Sequence, residues 1–243
     1  MNPTRLLMLD IADIQGYIFG SNNLQQNLGA SELVTQATRR WIFEVLGKLN
    51  LANNGVKTNN WLDYAIFDKK DVAHELAVEV IYAGGGNAAL LFAKDDDRRK
   101  FVRQWTRKVF EEARGLQPVV KSTSIDWAKD VLKDKLENLR RDLHDGKVNT
   151  TPAAPLLGLG VTAACVFTGL PAVQVEDDQL ISTVVKHKLL ARKEADERLR
   201  KVLLEDEQIK KLLGKKKINL EFVYNFDEFG ARDEFSYMAV IHA

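Results

Sequence analysis

The chain has 243 residues, of which 35 are basic and 34 acidic, so its formal net charge is +1. This near-neutral charge excludes a global electrostatic footprint for nucleic acid or an anionic membrane, and a single cysteine excludes an internal disulfide or a cysteine-rich metal site. No apolar run reaches the about 18 residues of a membrane span, and the N-terminus has no signal-peptide pattern, so we expect a cytoplasmic protein with no membrane partner.

The apolar patterns of residues 1–128 predict an α+β domain. Leu6–Ile11 is typical of a buried strand, and Pro118–Trp127 alternates like a strand with one wet face. Two amphipathic helices are predicted, one from residue 29 to about 49 with Ser31 as its N-cap and one from 98 to 113. With a central hairpin, the order is βαββαβ, a ferredoxin-like fold. The apolar stripes expected to face the core are Leu33, Ala37, Trp41, Val45 and Leu49, and Phe101, Val102, Trp105, Val109 and Phe110.

The central hairpin is predicted from two apolar runs, Val80–Ala83 and Ala88–Ala93, which flank Gly84-Gly85-Gly86-Asn87. Glycine and asparagine tolerate the positive φ angles that a tight hairpin turn requires. The tip would carry almost no side chains, so a phosphate or a base could approach its backbone closely. The alternative is that these four residues only form the turn.

The second half of the chain has a different composition. The pattern predicts a charged helix over 131–147, a linker over 150–155, an apolar glycine-punctuated segment over 156–172 and a long charged helix or helix pair over 181–213. The charged side chains Lys186, Lys188, Arg192 and Lys193 are expected to be solvated. Strands are predicted over 219–224 and 236–243. The last is unusually apolar for a chain end; it is either a paired edge strand or, as we expect, part of a longer polypeptide.

Four segments in this order resemble the large subunit of type III CRISPR effector complexes, a polymerase-cyclase relative with two palm domains. Asp10–Phe19 with Gly29–Leu33 resembles the start of its first palm, and Tyr82–Asn87 resembles the hairpin of that palm. Leu157–Ala172 resembles the connector to the second palm, and Tyr237–Ala243 the second palm's first strand. The resemblance implies a first palm over 1–128, a helical connector over 129–215 and the first strands of a second palm over 216–243.

In this family the two palms pair and bind two ATP molecules, and the carboxylates of a Gly-Gly-Asp-Asp hairpin in the second palm hold divalent metal. The product is cyclic oligoadenylate, an antiviral messenger. Here Gly86 and Asn87 stand at the two acid positions, so this palm is expected to be the partner that binds no metal and has no catalytic residue. Mg²⁺ or Mn²⁺ is expected only with the rest of the second palm. Cys165 stands alone, with Thr168 in place of a second cysteine, so we expect no zinc.

The resemblance gives two groups of candidate ATP-binding residues: Gly29, Ala30 and Ser31 at the predicted helix start, and Gly84, Gly85, Gly86 and Asn87 in the hairpin. Each has a purely structural alternative, an N-cap and a turn. Asp10 and Asp13 could be metal ligands or could serve in caps and loops. The implied partners are ATP, the second palm, other effector-complex subunits and guide RNA.

Two other functions stay open. One is a non-catalytic assembly module built on a degenerate palm, and the missing acids favour it for this chain. The other is a diguanylate-cyclase-like signalling domain, whose Gly-Gly-Asp/Glu-Glu-Phe hairpin this sequence lacks.

Overall fold

The computed structural model describes residues 4–57, 64–66, 76–148, 162–205 and 211. The strands are β1 (Thr4–Ala12), β2 (Gly55–Lys57), β3 (Tyr64–Ile66), β4 (Val78–Gly84), β5 (Asn87–Phe92), β6 (Gln117–Ile125), β7 (Ala172–Glu176) and β8 (Gln179–Ser182). The helices are α1 (Ile14–Phe19), α2 (Leu24–Thr35), α3 (Trp41–Lys48), α4 (Asp95–Glu112), α5 (Leu132–Val148) and α6 (Thr183–Glu205). A π turn, Gln36–Arg40, joins α2 to α3 in one continuous helical run.

Four antiparallel strands form the main sheet in the order β4-β5-β1-β6. The helical run from α2 to α3 follows β1, and α4 follows β5. The connectivity and strand order are therefore those of a ferredoxin-like fold. The predicted fold class is therefore confirmed. The short pair β2–β3 was not predicted from the sequence.

One face of this sheet packs against α2, the π turn, α3 and α4. Both tryptophans of the predicted stripes are buried there, with Trp41 4% and Trp105 0% exposed. The prediction for Phe110 is wrong: it is 61% exposed, and the Arg114 guanidinium lies 3.9 Å from the centre of its ring. Phe110 lies on the side of the helix that faces away from the core, whereas the neighbouring Val109 and Ala113 are buried.

The opposite face packs against α5. Leu139 and Leu143 of this helix are 2% and 1% exposed and pack with side chains of β1, β5 and β6. Gly146 allows the end of α5 to come close to β6, because a Cβ there would lie 3.2 Å from the Lys121 Cε atom. The sheet therefore has an apolar core on both faces.

After α5, the described part of the predicted connector contains the turn around Cys165, the β7–β8 hairpin and α6, which packs along α2. The hairpin was not predicted. The prediction that Lys188 is solvated is wrong, since it is 4% exposed. Its Nζ atom donates to the Tyr17 carbonyl oxygen at 2.5 Å and lies 4.4 Å from the Tyr17 ring centre.

Several predicted segments lie wholly or partly outside the described residues. They are the linker over 150–155, residues 156–161 of the apolar segment over 156–172, residues 206–210 and 212–213 of the long charged helix, and the strands over 219–224 and 236–243 of the predicted second palm. The domain boundaries therefore stay a prediction. Among the described residues, no helix combines the length and the apolar character needed to cross a bilayer.

Candidate functional site

The β4–β5 hairpin ends in a two-residue turn. Gly85 and Gly86 have φ angles of +64° and +92°, and Gly84 pairs with Asn87 to close the turn. Two central residues with positive φ are the pattern of a type I′ turn, which fits the right-handed twist of the strands. The predicted hairpin with a bare tip is confirmed.

Two of the three glycines remain open to a ligand, because Gly86 is used by the protein itself. Its N–H donates to Thr38 Oγ1 at 3.3 Å, and its carbonyl accepts from the Ile11 N–H at 3.0 Å. A Cβ on Gly86 would overlap the Ile14 side chain. Gly85 is exposed and has no atom within 4 Å of an added Cβ. A ligand approaching the tip would therefore meet the backbone of Gly84 and Gly85.

The π turn brings a guanidinium to this tip. The Arg39 Nη1 atom lies 3.8 Å from the position that a Cβ would take on Gly84, and Thr38 of the same turn holds Gly86. A π turn breaks the regular i→i−4 pattern of an α-helix, and such turns are frequent at functional sites. The Ala37 carbonyl accepts a hydrogen bond from Trp105 Nε1 at 2.8 Å, which ties the turn to the core.

Helix α2 does not begin at Ser31. Asn23 is its N-cap, with Oδ1 accepting from the Gln26 N–H at 3.1 Å. The N-cap prediction for Ser31 is therefore wrong, and the free N–H groups of the helix start lie about two turns earlier.

The three candidate residues in α2 point in different directions. Gly29 and Ser31 are two residues apart and so lie about 160° apart around the helix. Gly29 faces α6, where a Cβ would overlap the Lys188 carbonyl oxygen, and Ala30 is fully buried. Ser31 is exposed, on the face that carries Thr38 two turns later. A ligand role for any of these three residues stays a prediction.

Asp10 lies beside the tip on the α5 side of the sheet. It pairs with Asn87 in the β1–β5 register, and its Oδ2 atom forms an ion pair with Lys147 Nζ at 2.7 Å. The neighbouring Tyr82 hydroxyl is hydrogen-bonded by Arg140, and burial raises the pKa of Tyr82 above its usual range. The strand-end carboxylate is therefore already neutralised by an amine of the same chain.

Asp13 serves as a cap. It adopts a left-handed conformation with φ of +49°, and its Oδ1 atom accepts from the Gly16 N–H at 3.1 Å. The capping alternative is thus confirmed for Asp13, while the role of Asp10 is an ion pair.

Cys165 lies in a tight turn of the connector. The turn is closed by the Gly169 N–H, which donates to the Cys165 carbonyl at 3.0 Å. Burial by itself would raise the pKa of the thiol, but hydrogen bonds from Thr168, Ser182 and nearby backbone groups lower it to about 7. The two hydroxyls are 3.1 Å apart. Thr168 and Ser182 therefore supply hydroxyl groups, not thiolates, around the single cysteine.

Three residues of the site were missed from the sequence: Thr38, Arg39 and Lys147. One signal was present. The stripe from Leu33 to Leu49 repeats every four residues, and five such positions would drift by about 160° around a regular α-helix. A π turn accommodates one extra residue and takes up much of that drift. The strict four-residue repeat therefore indicates the irregular turn that carries Thr38 and Arg39.

Comparisons with known proteins give matches only among solved structures. No protein-family model matches the chain. No curated protein matches it. The chain is similar to the crystal structure of an apo Csm1–Csm4 cassette, with 13% identity and a TM-score of 0.41 over 60% of this chain and 18% of the matched chain. It is also similar to the crystal structure of Csm1 of T. onnurineus, with 16% identity and a TM-score of 0.41 over 76% of this chain and 26% of the matched chain.

Csm1 is a type III CRISPR large subunit, the class of protein that the sequence motifs resemble. The chain spans 18% and 26% of the length of these two solved chains.

Proposed function

We propose that this chain is the nucleotide-binding, non-catalytic palm of a two-palm protein of the type III CRISPR large-subunit class. In this function the hairpin tip binds the phosphates of ATP, and the second palm supplies the metal-binding carboxylates. The order of motifs in the sequence supports the class.

The observation that carries the proposal is the geometry of the tip. Gly85 is exposed and has no atom within 4 Å of an added Cβ, and the Arg39 guanidinium lies beside Gly84. Backbone N–H groups and a guanidinium are common ligands of phosphate oxygens. No carboxylate stands in the turn itself, so the chemistry of the tip fits an anion better than a metal ion.

A Gly85→Asn variant tests this role in the full chain. Asparagine tolerates the positive φ of a type I′ turn, so the hairpin should be retained while a side chain now covers the tip. A hydrogen bond to a charged group contributes about 1.5–3 kcal/mol, so its loss should weaken ATP binding about tenfold or more. Isothermal titration calorimetry with ATP measures this.

Gly169→Asn is the matched control. Gly169 has a φ of +67° and no atom within 4 Å of an added Cβ, but it lies in the connector turn. It should leave ATP affinity unchanged. If both variants bind like the parent chain, or if the parent chain binds no ATP, the proposed function is wrong.

The synthesis of cyclic oligoadenylate belongs to the same proposal at the level of the whole protein. A polypeptide that continues into a complete second palm should convert ATP to a cyclic product when Mg²⁺ or Mn²⁺ is present. In that reaction a 3′-hydroxyl attacks an α-phosphate and pyrophosphate leaves, while metal stabilises the developing charge. Chromatography that finds no ATP-derived product would exclude the catalytic part.

A second candidate is an assembly module that binds other effector-complex subunits without nucleotide. It is favoured by the connector hairpin, where Val173 and Val175 lie on one side of β7 and are 55% and 63% exposed. Isolated soluble domains usually bury such residues when they are adjacent. If ATP does not bind while the chain co-purifies with effector subunits, this candidate replaces the first.

A further inference from the structure

We infer that the hairpin tip binds the phosphates of a nucleoside triphosphate without a metal ion. The Lys147 ammonium occupies the place beside Asp10 that a metal ion would take, and it binds the phosphates together with Arg39. This inference rests on the proposed function and adds the ligand contacts and the independence from divalent cations. Lys147 and Arg39 come from opposite sides of the sheet, so their joint position is a property of the fold.

Three positions define the site, and they lie at one level on three adjacent strands. Gly84 of β4 pairs with Asn87 of β5, and Asn87 pairs with Asp10 of β1. Paired residues on antiparallel strands project to the same face. Since neighbouring strands lie about 4.8 Å apart, the row from Gly84 to Asp10 is about 10 Å long.

A cation lies at each end of this row. The Lys147 Nζ atom is 2.7 Å from Asp10 Oδ2, and the Arg39 Nη1 atom is 3.8 Å from the Cβ position of Gly84. The Lys147 and Asp10 side chains are 30% and 20% exposed. A ligand in solution can therefore reach the ammonium without unfolding α5.

The local charges favour an anion over a divalent cation. Lys147 lies beside Asp10, Arg39 lies beside Gly84, and Arg140 hydrogen-bonds Tyr82. Lys147 also lies in the last turn of α5, where it offsets the partial negative charge of the helix end. Asn87 in the middle of the row adds an amide and no charge. A metal ion would have to displace the ammonium from Asp10, the one carboxylate in the row.

The test is an ATP titration of the full chain with excess EDTA and with excess Mg²⁺. Binding should be as tight or tighter in EDTA, because Mg²⁺ lowers the negative charge of the triphosphate. Lys147→Met and Arg39→Gln should each weaken binding about tenfold, the loss of one charge-assisted hydrogen bond. Lys147→Arg should retain most of the affinity. Arg107→Gln is the control, because Arg107 pairs with Glu111 along α4 and is 76% exposed.

The direction in which Asp10→Asn changes ATP affinity distinguishes a phosphate site from a metal site. Removing this carboxylate should leave ATP affinity unchanged or increase it, because one negative charge that would repel the phosphates is lost. If Asp10 is instead a metal ligand, the same change will weaken binding and only in Mg²⁺. Binding that requires Mg²⁺, or that is insensitive to Lys147→Met, overturns the inference and leaves the proposed function standing. If ATP binds neither in EDTA nor in Mg²⁺, the inference and the proposed function are both wrong. The same holds if single-stranded RNA binds through Arg39 and Lys147 while ATP does not bind.

Discussion

Helices α5 and α6 both pack against the four-stranded domain, but different contacts hold them. Helix α5 buries Leu139 and Leu143 against the sheet and ends in a half-exposed ion pair, Lys147 with Asp10. Helix α6 lies so close to α2 that Gly29 meets the carbonyl of Lys188, and it buries the ammonium of that lysine.

The two interfaces should therefore respond differently to a change in side-chain volume and to a change in pH. Leucine burial is spread over many weak contacts, so α5 should depend on side-chain volume and little on pH. The α6 interface depends on one glycine and one buried cation, so an added methyl group or a change of protonation should affect it. The four predictions below test this contrast.

The largest effect is expected for Leu143→Ala in α5. Truncating a fully buried leucine removes apolar contacts and leaves a cavity, which costs about 2–4 kcal/mol of unfolding free energy. Urea denaturation followed by circular dichroism measures the loss. Leu190→Ala is the control, since Leu190 is 47% exposed. Equal losses in the two variants would mean that α5 does not use the leucine as the structure shows.

A smaller loss, about 1–3 kcal/mol, is expected for Gly29→Ala. Alanine favours helix over glycine by about 1 kcal/mol, but here its methyl group would collide with the backbone of α6. Gly47→Ala is the matched control, because no atom lies within 4 Å of an added Cβ at that helical position, and it should stabilise the chain. Hydrogen exchange should rise across residues 183–205 in the Gly29 variant alone. Stabilisation by both changes would refute the close approach of α6.

The third prediction concerns pH. Burial lowers the pKa of Lys188 from 10.5 to about 8. Below pH 8 both folded and unfolded chains hold the proton, so the full penalty of burying the charge is present. Between about 8 and 10.5 the unfolded chain binds more protons, and stability should rise with pH by at most about 1.4 kcal/mol per unit. Lys188→Met should remove this rise above about pH 9, whereas below that pH the Cys165 thiol, whose pKa is lowered to about 7, adds a rise of its own.

Lys193→Met is the control for the pH experiment. Lys193 lies on the same helix with a side chain that is 53% exposed and paired with Glu176, so the rise should persist when it is replaced. Denaturation midpoints between pH 7 and 10 measure both variants. A rise above about pH 9 that survives in Lys188→Met would assign the pH dependence there to another group.

The smallest effect is expected for Lys147→Met. A partly exposed ion pair contributes about 0–1 kcal/mol, so the melting temperature should change little even though the last turn of α5 loses its contact with Asp10. Thermal unfolding checks this. A loss as large as that of Leu143→Ala would mean that the ion pair, and not the leucines, holds α5 in place.

The framework of the main domain could be predicted from the sequence because local patterns determine it. Alternation identifies β6, apolar runs identify β1 and β5, and the Gly84–Asn87 chemistry identifies the turn. Ser31 was misassigned because Gln26, a polar residue in the first turn of α2, is buried and hides the true helix start. Sequence periodicity carries no information about such tertiary burial.

The site itself was predicted only where backbone conformation dictates the residue. Gly85 and Gly86 are required by positive φ, and this is visible in the sequence. Arg39, Lys147 and Lys188 look like ordinary charged residues of helical surfaces. Arg39 reaches the hairpin because the helical run α2–α3 packs beside it, Lys147 meets Asp10 because α5 packs on the sheet, and Lys188 is buried because α6 packs along α2. These arrangements depend on contacts between residues far apart in the chain.

The π turn at Gln36–Arg40 also determines which insertions and deletions the chain can accept. Such a turn holds one residue more than a regular helix turning through the same angle, so removing one residue from it would restore a regular helix while α3 keeps nearly the same orientation relative to α2. Leu33 and Val34 before the turn, and Trp41 and Ile42 after it, are all buried and should stay in the core. We therefore expect a single-residue deletion over 36–40 to leave the chain folded and to change mainly the positions of Thr38 and Arg39 at the hairpin tip.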